Sequence, residues 1–301
     1  MSKYKCLITG GAGFIGSTIS DLLIADGHEV VILDNLSTGQ MSNINSSATF
    51  YECDLNLESQ ERINIYFNNV DYVFHCAALP NVQFSVEYPK ESNDANVNCT
   101  IKTLVACLEN RVKKIIYSGS CSAYGDSTII PTNEKQIASP LSPYALQKYI
   151  GEQYCELYHR MYDLQYVILR YFNVYGERMM DKGAYVSVLS HFIRSVKNNQ
   201  SLNITNDGEQ KRDFIYVQDV ARANILAMTN NDCNNQVFNI GNGINYSVNT
   251  LASLFNRPTK YGESRIEPYE TLADITKVQE VLNWKPETNV LEWITKTVKD
   301  I

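Results

Sequence analysis

The chain has 301 residues, of which 44% are hydrophobic and 20% are charged, an ordinary composition for a globular protein. Its net charge of −7 argues against nucleic acid as the main partner, because proteins that bind the phosphate backbone carry a clustered excess of Lys and Arg. No apolar run reaches the roughly 18 residues of a membrane-spanning helix, and the N-terminus leads into a strand without a signal-peptide core. We therefore expect a cytoplasmic protein without a membrane partner.

The cysteines and histidines form no pattern typical of a metal site. The eight cysteines are scattered without a C-x-x-C pair, and the four histidines form no H-E-x-x-H motif. We expect reduced thiols, most of them buried in apolar segments, and no metal.

Short apolar strands alternate with amphipathic helices through the first two thirds of the chain. The segments expected to be strands are YKCLITG, EVVILD, ATFYECD, YVFHCAA, KKIIYSGS and QYVILRYFNVYG. The helices are expected from Phe14, near Glu58–Phe67, around Ser92–Glu109 and from Pro143 to about Tyr162. Apolar strands separated by helices predict a parallel sheet covered on both faces, so the fold class is α/β, a Rossmann-type doubly wound sheet.

The pattern loosens after Gly176, which predicts a second, smaller C-terminal α/β domain. Here we expect a helix near Val186–Lys197, a short strand SLNIT, and a tail from 239 to 301 with short strands and two helices. No low-complexity linker separates the two parts, so a ligand cleft between them is expected.

A glycine-rich turn predicts a dinucleotide site at the first strand. In ITGGAGFIG, Gly10, Gly13 and Gly16 lie between the strand and the helix that begins with Phe14 and Ile15. Glycines allow a tight turn and close approach of backbone to a pyrophosphate, which the helix N-terminus attracts. Asp34 ends the second strand, where a carboxylate can accept both ribose hydroxyls but would repel a 2′-phosphate, so NAD is favoured over NADP.

Two further strand ends are expected at the same site. Asp54 ends the third strand and could bond the adenine amino group, or it could be a plain helix N-cap. Ala77 and Ala78 are small enough for a dinucleotide to pass close to the backbone. Asn35 and Leu55, which follow the two acidic residues, complete the expected cofactor site.

A hydroxyl and a Tyr/Lys pair predict acid–base chemistry. Ser120 lies at the carboxyl end of its strand, the rim at which doubly wound sheets bind ligands. Tyr144 and Lys148 in SPYALQKY are spaced i,i+4 at a helix start and so face the same way. A neighbouring ammonium stabilises a phenolate, which makes Tyr144 a usable general base. In isolation the pair would indicate only a solvated helix face. Because the glycine-rich turn and the strand that ends at Ser120 precede it in the chain, an acid–base pair is favoured instead.

The chain resembles the extended short-chain dehydrogenases/reductases, specifically the NAD-dependent nucleotide-sugar 4-epimerases. The resemblance rests on motifs along nearly the entire sequence: TGGAGFIG, DNLSTG, HCAALPNV, SGSCSAYGD, SPYALQK, LRYFNVYG, DGEQKRDFIYVQDVARA and ETLADITKV.

The resemblance implies a role for each matched residue. Ser120 would bond the sugar O4, Tyr144 would take its proton, and Lys148 would hold the nicotinamide ribose and lower the pKa of Tyr144. The remaining positions would be Phe172 at the nicotinamide, Asn173 at the diphosphate, Arg212 and Arg265 at the two phosphates, and Thr271 at the sugar wall. The domains implied are an NAD-binding part, 1–167 with a returning segment about 211–238, and a sugar-binding part, 168–210 and 239–301.

The implied reaction is epimerisation at C4 of a UDP-hexose or UDP-N-acetylhexosamine through a transient 4-keto sugar. The sister 4,6-dehydratases resemble this chain but carry an Asp-Glu pair where it has Cys121 and Ser122, and decarboxylases carry Glu at the Ser122 position. A dehydratase or 4-keto reductase and a catalytically silent NAD-binding sensor stay open as alternatives.

The chain departs from the family pattern at two places, and a third position bears on the choice of sugar. The segment before Arg265 is shortened, and Cys99 stands where the family usually has Gly. Thr271 stands where the family has a bulky Tyr or a smaller residue, which favours room for an N-acetyl group. The family also implies a homodimer through helices near Ser92–Glu109 and Pro143–Tyr162, with Tyr149, Tyr154 and Tyr158 suited to the contact.

Overall fold

A computed structural model describes residues 3–180, 187–263 and 268–301. Its main sheet comprises β1 (Lys5–Thr9), β2 (Glu29–Asp34), β3 (Thr49–Glu52), β4 (Tyr72–His75), β5 (Lys114–Ser120), β6 (Tyr166–Tyr171) and β10 (Gln236–Ile240). Within the described ranges, these seven strands are parallel and lie in the order β3, β2, β1, β4, β5, β6, β10. The predicted Rossmann-type doubly wound sheet is thus confirmed.

Helices cover both faces of this sheet because successive strand residues point to opposite sides. One face carries α1 (Phe14–Ala25), α8 (Val217–Thr229) and α10 (Thr276–Leu282), and the other carries α2 (Gln60–Tyr66), α5 (Cys99–Glu109) and α6 (Pro143–Tyr162). In β1, Ile8 packs on the face that carries α1, and Leu7 packs on the face that carries α2 and α5. Neither side chain has exposed surface. Burial on both faces explains why the strands read as continuous apolar runs.

The smaller part is built on short strands beside the carboxyl ends of the main sheet. Its strands are β7 (Asn173–Tyr175), β8 (Leu202–Ile204), β9 (Lys211–Tyr216), β11 (Asn245–Ser247) and β12 (Thr259–Tyr261), and its helices are α7 (Val188–Lys197), α9 (Val248–Ser253) and α11 (Val290–Lys299). β9 lies between β11 and β7, while β12 pairs with β8. Phe192, Phe214 and Phe255 lie in a separate apolar core.

Several predicted elements differ from the observed ones. The single strand predicted for QYVILRYFNVYG is two strands, because Phe172 donates its N–H to Ile240 O at 3.0 Å and the chain then enters the smaller sheet. The helix predicted around 92–109 is preceded by α3 (Val82–Glu87) and α4 (Pro89–Asn93) and contains a π turn at Asp94–Asn98.

The tail also differs in detail from the expectation. The described part of the tail contains α9, α10 and α11 rather than two helices. The predicted boundaries at 167 and 238 fall inside β6 and β10, and the returning segment divides between β9 in the smaller sheet and α8 on the main sheet. The division into two domains stays a prediction. None of the helices in the described ranges is long and apolar enough to cross a bilayer.

Candidate functional site

A cavity of about 580 Å³ opens at the carboxyl ends of the main sheet, between it and the smaller part. Its walls bring together most of the residues that the sequence singles out: Gly10, Gly13, Phe14, Ile15, Gly16, Asp34, Asn35, Asp54, Leu55, Ala77, Ala78, Ser120, Tyr144, Lys148, Phe172 and Asn173. Residues that are distant in sequence meet here because parallel strands end at a common edge.

The glycine-rich turn leaves no room for side chains. Gly10 has a φ of +71°, and a Cβ added there would lie 2.7 Å from the backbone nitrogen of Ala77. A Cβ on Gly16 would collide with the carbonyl oxygen of Gly10. Gly13 is the N-cap of α1, and no acidic residue stands in the first turn of that helix. The turn therefore presents backbone and the positive end of a helix to the cavity, as an anionic diphosphate requires.

Asp34 is fixed at the end of β2 by two backbone donors. Ala12 donates its N–H to Oδ2 at 2.9 Å, and Leu36 donates to Oδ1 at 2.8 Å. Burial raises the pKa of this carboxyl, and both hydrogen bonds oppose the rise. Each oxygen keeps a free acceptor direction for a ligand hydroxyl.

Asp54 is held at the neighbouring strand end and does not cap α2. Its Oδ2 accepts from Asn35 Nδ2 at 2.9 Å, and its Oδ1 accepts from the amide of Asn56 at 2.9 Å. The N-cap of α2 is Ser59, whose side chain accepts from the N–H of Arg62. Asp54 thus closes the turn after β3, and the plain N-cap alternative is wrong.

A buried histidine supports the backbone at Ala77. Thr9 Oγ1 lies 2.7 Å from His75 Nδ1, and Thr100 Oγ1 lies 2.9 Å from Nε2. Thr100 donates its own proton to Asn96 O, so its oxygen accepts from Nε2 of His75. Full burial lowers the pKa of His75 to about 3, which keeps the ring neutral. Thr9 in turn accepts from the amide of Ala77 at 3.3 Å, so this histidine has a structural role.

Ser120 ends β5 and begins a tight turn at the cavity. Its Oγ lies 2.7 Å from Ser122 Oγ and accepts the N–H of Ser122 at 3.2 Å. Cys121 also lines the cavity, and burial raises the pKa of its thiol to about 12, so the thiol is neutral at physiological pH.

Tyr144 and Lys148 occupy the first two turns of α6. The helix begins at Pro143, and the N-cap Ser142 accepts the N–H of Ala145 at 3.2 Å. Tyr144 donates its backbone N–H to Ser85 Oγ at 3.1 Å. Both side chains line the cavity, as expected for an i,i+4 pair on one helix face.

Lys148 is anchored to the strand that carries Ser120. Its Nζ donates to the carbonyl oxygen of Ser118 at 2.9 Å. Burial lowers the pKa of Lys148 to about 8, although Cys76, Glu152 and Cys155 act in the opposite direction. The lysine is therefore charged at neutral pH but poised near its titration point.

A buried ion pair lies one turn beyond Lys148. Arg170 Nη2 donates to Glu152 Oε2 at 2.6 Å, and Arg170 Nε donates to both carboxylate oxygens. The two side chains are 6% and 1% exposed. The guanidinium also lies over the ring of Tyr124, 4.6 Å from its centroid. This pair fixes the angle of α6 against β6 behind the cavity.

The positions expected to bind substrate are only partly gathered at the cavity. Asn173 lines it and donates Nδ2 to Asp213 O at 3.0 Å. Arg212 is 9% exposed, and its Nη1 donates to Lys211 O at 2.8 Å. Among the described residues, the cavity wall does not include Arg212 or Thr271. Arg265 lies outside the described residues, as does Val186, the expected start of α7.

Other residues in the cavity wall were given no role by the sequence. They include Leu79, Asp94, Met179, Met180, Ser187 and Ser190. Leu79 is held by Asn96, which accepts its N–H at 2.7 Å and donates to its carbonyl oxygen. Asn96 belongs to the π turn, a feature that is frequent at functional sites but has no clear sequence signal.

No metal site accompanies these groups in the ranges that the structure describes. They contain no cluster of three His, Cys, Asp or Glu side chains that could hold an ion. All eight cysteines are free.

Known proteins resemble this chain over nearly its whole length. The model of the NAD dependent epimerase/dehydratase family matches residues 6–241. A protein of Methanocaldococcus jannaschii that carries the provisional name UDP-glucose 4-epimerase is 44% identical, and the match covers 97% of this chain and 96% of that protein.

Solved structures agree in fold over the same length. The UDP-glucose 4-epimerase of Thermotoga maritima, crystallised with UDP-glucose, has a TM-score of 0.93 and 38% identity, covering 98% of this chain and 97% of that one. The UDP-N-acetylglucosamine 4-epimerase of Methanobrevibacter ruminantium, in complex with UDP-N-acetylmuramic acid, has a TM-score of 0.92 and 38% identity, covering 99% and 98%. With its parallel sheet and glycine-rich turn, the chain therefore belongs to the NAD dependent epimerase/dehydratase family, and its cofactor is NAD.

Proposed function

We propose that this protein is a 4-epimerase of a UDP-hexose or UDP-N-acetylhexosamine. The observation that carries the proposal is the absence of an acidic side chain beside Ser120 in the described cavity wall. The acidic residues of that wall are Asp34, Asp54, Glu91 and Asp94. Asp34 ends β2, Asp54 follows β3, and Glu91 and Asp94 lie in α4 and the π turn after it, so none of them belongs to the turn that carries Ser120.

The missing acid matters because the sister reactions require one. A dehydratase must remove a C5 proton and expel a hydroxyl group, which calls for a base and an acid near the sugar. Ser120 has Cys121 and Ser122 as neighbours, and the Cys121 thiol is neutral. Epimerisation needs only one hydroxyl donor and one base. The side chains around Ser120 therefore support epimerisation over dehydration.

The shape of the cavity supports NAD as the bound cofactor. The side-chain-free turn at Gly10 and Gly16 would lie against the diphosphate of NAD, and Asp34 would accept its ribose hydroxyls. Bound NAD would supply a hydride acceptor for C4 of the sugar and, once reduced, a hydride donor for the same carbon.

The chain's own groups would manage the proton and orient the sugar. Tyr144 would remove the O4 proton and return it after the 4-keto sugar has rotated in the cavity. Lys148 would stabilise the phenolate by its charge, and Ser120 would donate a hydrogen bond to O4. Asn173 would bind the diphosphate, with Arg212 and Arg265 neutralising it and Thr271 leaving room for an N-acetyl group.

The direct test is to incubate the purified protein with UDP-galactose or UDP-N-acetylgalactosamine without added reductant. Formation of the corresponding gluco sugar would support the proposal, and the relative rates would identify the preferred sugar. A 4-keto-6-deoxy product would identify a dehydratase, and net consumption of NADH in a parallel assay that contains it would identify a reductase. Binding of NAD without conversion of any tested sugar would favour the silent sensor.

We expect the turnover number to fall as pH rises through about 8. Lys148 holds its charge below that value and loses it above, because burial lowers its pKa from the ordinary 10.5 to about 8. Loss of the charge removes the stabilisation of the Tyr144 phenolate. The measurement is kcat against pH from 6 to 10 at saturating substrate. A rate that keeps rising through pH 9.5 would contradict this role for Lys148.

We expect Asp34→Asn to weaken selectivity for NAD over NADP. The substitution removes the negative charge that repels a 2′-phosphate. It also removes one of the two oxygen atoms that would accept the ribose hydroxyls. Affinity for NAD should fall about tenfold, the loss of roughly one charged hydrogen bond. Fluorescence titration with NADH and NADPH measures both effects. Asp26→Asn, at the exposed end of α1, is the matched control.

We further propose a homodimer in the cytoplasm. Side chains of α3 and α6 that support an interface include the exposed Val86, Leu146, Leu157, Met161 and Tyr162. Tyr149, Tyr154 and Tyr158 are half-buried, and Tyr154 and Tyr158 pack against the core of their own chain. Sedimentation of the wild type and of Leu157→Glu tests the assembly.

A further inference from the structure

We propose that Ser122 is a positioning residue that turns the hydroxyl proton of Ser120 toward the reacting oxygen of the substrate. The inference rests on the proposed function. Ser120 is the N-cap of the 3-10 turn Cys121–Tyr124, with φ −143° and ψ 139°. Its Oγ receives the backbone N–H of Ser122 at 3.2 Å and lies 2.7 Å from the hydroxyl oxygen of the same residue.

The positions of the protons follow from what a hydroxyl can do. A serine oxygen has one proton and two acceptor lone pairs. The N–H of Ser122 fills the first lone pair of Ser120. If the Ser122 hydroxyl donates to the second lone pair, the proton of Ser120 must point in the one remaining direction, away from the turn. Ser120 then acts as a donor only.

The opposite arrangement serves the reaction poorly. If Ser120 donates to Ser122, its proton is consumed inside the turn and cannot reach a sugar oxygen. A transient ketone at C4 needs a donor, because partial negative charge develops on its oxygen as hydride returns. When Ser122 donates, the proton of Ser120 already points toward the substrate site before the substrate binds. A donor that is oriented in advance costs no reorientation during the reaction.

The hydroxyl of Ser122 does not hold the turn itself. Among the described residues, Ser120 Oγ is its only hydrogen-bond partner. The turn is closed by Gly125 N–H on Ser122 O at 3.1 Å and anchored by Tyr124, whose hydroxyl donates to Asn239 Oδ1 at 2.7 Å. Removing one half-buried oxygen atom therefore leaves the backbone in place, which separates positioning from folding.

The test is a double-mutant cycle on the full-length protein with bound NAD. Ser122→Ala should lower kcat about five- to tenfold, the value of one hydrogen bond, with KM changed less than twofold. Ser122→Thr retains the hydroxyl and should restore most of kcat. In a Ser120→Ala background, Ser122→Ala should cost less than twofold, because its effect acts through Ser120.

The outcomes distinguish this inference from the proposed function. If the wild type fails to epimerise any UDP-hexose, the proposed function fails. If the wild type is active and Ser122→Ala keeps full kcat, the positioning role is overturned. Additive losses in the double variant, or a Ser122→Thr variant as slow as Ser122→Ala, would also overturn it. Unchanged thermal unfolding of the single variants shows that the turn is intact.

Discussion

Tyr144→Phe is expected to lower kcat about 10²- to 10⁴-fold while the protein still binds NAD and the UDP-sugar. The magnitude is that of a positioned general acid–base group, and the substitution removes only the oxygen that would carry the proton. The backbone N–H of Tyr144 keeps its bond to Ser85, so α6 should not move. Steady-state kinetics measure the fall in kcat, and equilibrium titration with NADH measures whether the cofactor still binds.

A control on the same helix separates loss of the base from loss of a tyrosine. Tyr162→Phe removes a hydroxyl at the far end of α6, where the side chain is 54% exposed, and should leave kcat unchanged. Full activity in Tyr144→Phe would refute the assigned mechanism. An equal loss in both variants would show that the effect is not specific to the cavity.

Glu152→Ala is expected to lower the free energy of unfolding by about 3–5 kcal/mol. The substitution leaves the Arg170 guanidinium buried without its bidentate partner, and an uncompensated buried charge costs this much. Because Lys148 lies one helical turn away, activity should fall as well. Urea denaturation followed by circular dichroism measures the change.

Two variants test whether the cost comes from the unpaired charge. Glu156→Ala removes a half-exposed carboxylate on the same helix, 3.9 Å from Arg160, and should cost no more than about 1 kcal/mol. Glu152→Met combined with Arg170→Met should cost less than Glu152→Ala alone, because both charges are removed. This account would be contradicted if the double Met variant lost as much free energy of unfolding as the two single Met variants lose together.

The sequence predicted β1 to β6 because most of these strands are buried on both faces, whereas β10 was not among the predicted strands. Strong apolar runs bounded by glycine and aspartate mark β1, β2 and β5, and α6 was predicted with its observed bounds. The break at Phe172 was not predictable. It arises because that residue pairs with Ile240, nearly seventy residues away, and no local propensity encodes such a pairing.

The residues of the cavity were predictable where a motif fixes them relative to a strand end. Gly10, Asp34 and Ser120 follow this rule, and all of them line the cavity. The contact between Ser120 and Ser122 was not predictable, because residues two apart do not face each other in a regular helix. Only the tight turn after β5 brings their hydroxyls within 2.7 Å.

The central claim is that hydride leaves C4 of a UDP-hexose, stays on the bound cofactor, and returns to the same carbon. The most direct measurement uses UDP-galactose deuterated at C4, incubated with the wild-type protein without added reductant, with the products resolved by mass spectrometry and NMR. The account predicts UDP-glucose with deuterium retained at C4. UDP-glucose that has lost the label to solvent, or a product altered at C5 or C6, would contradict it.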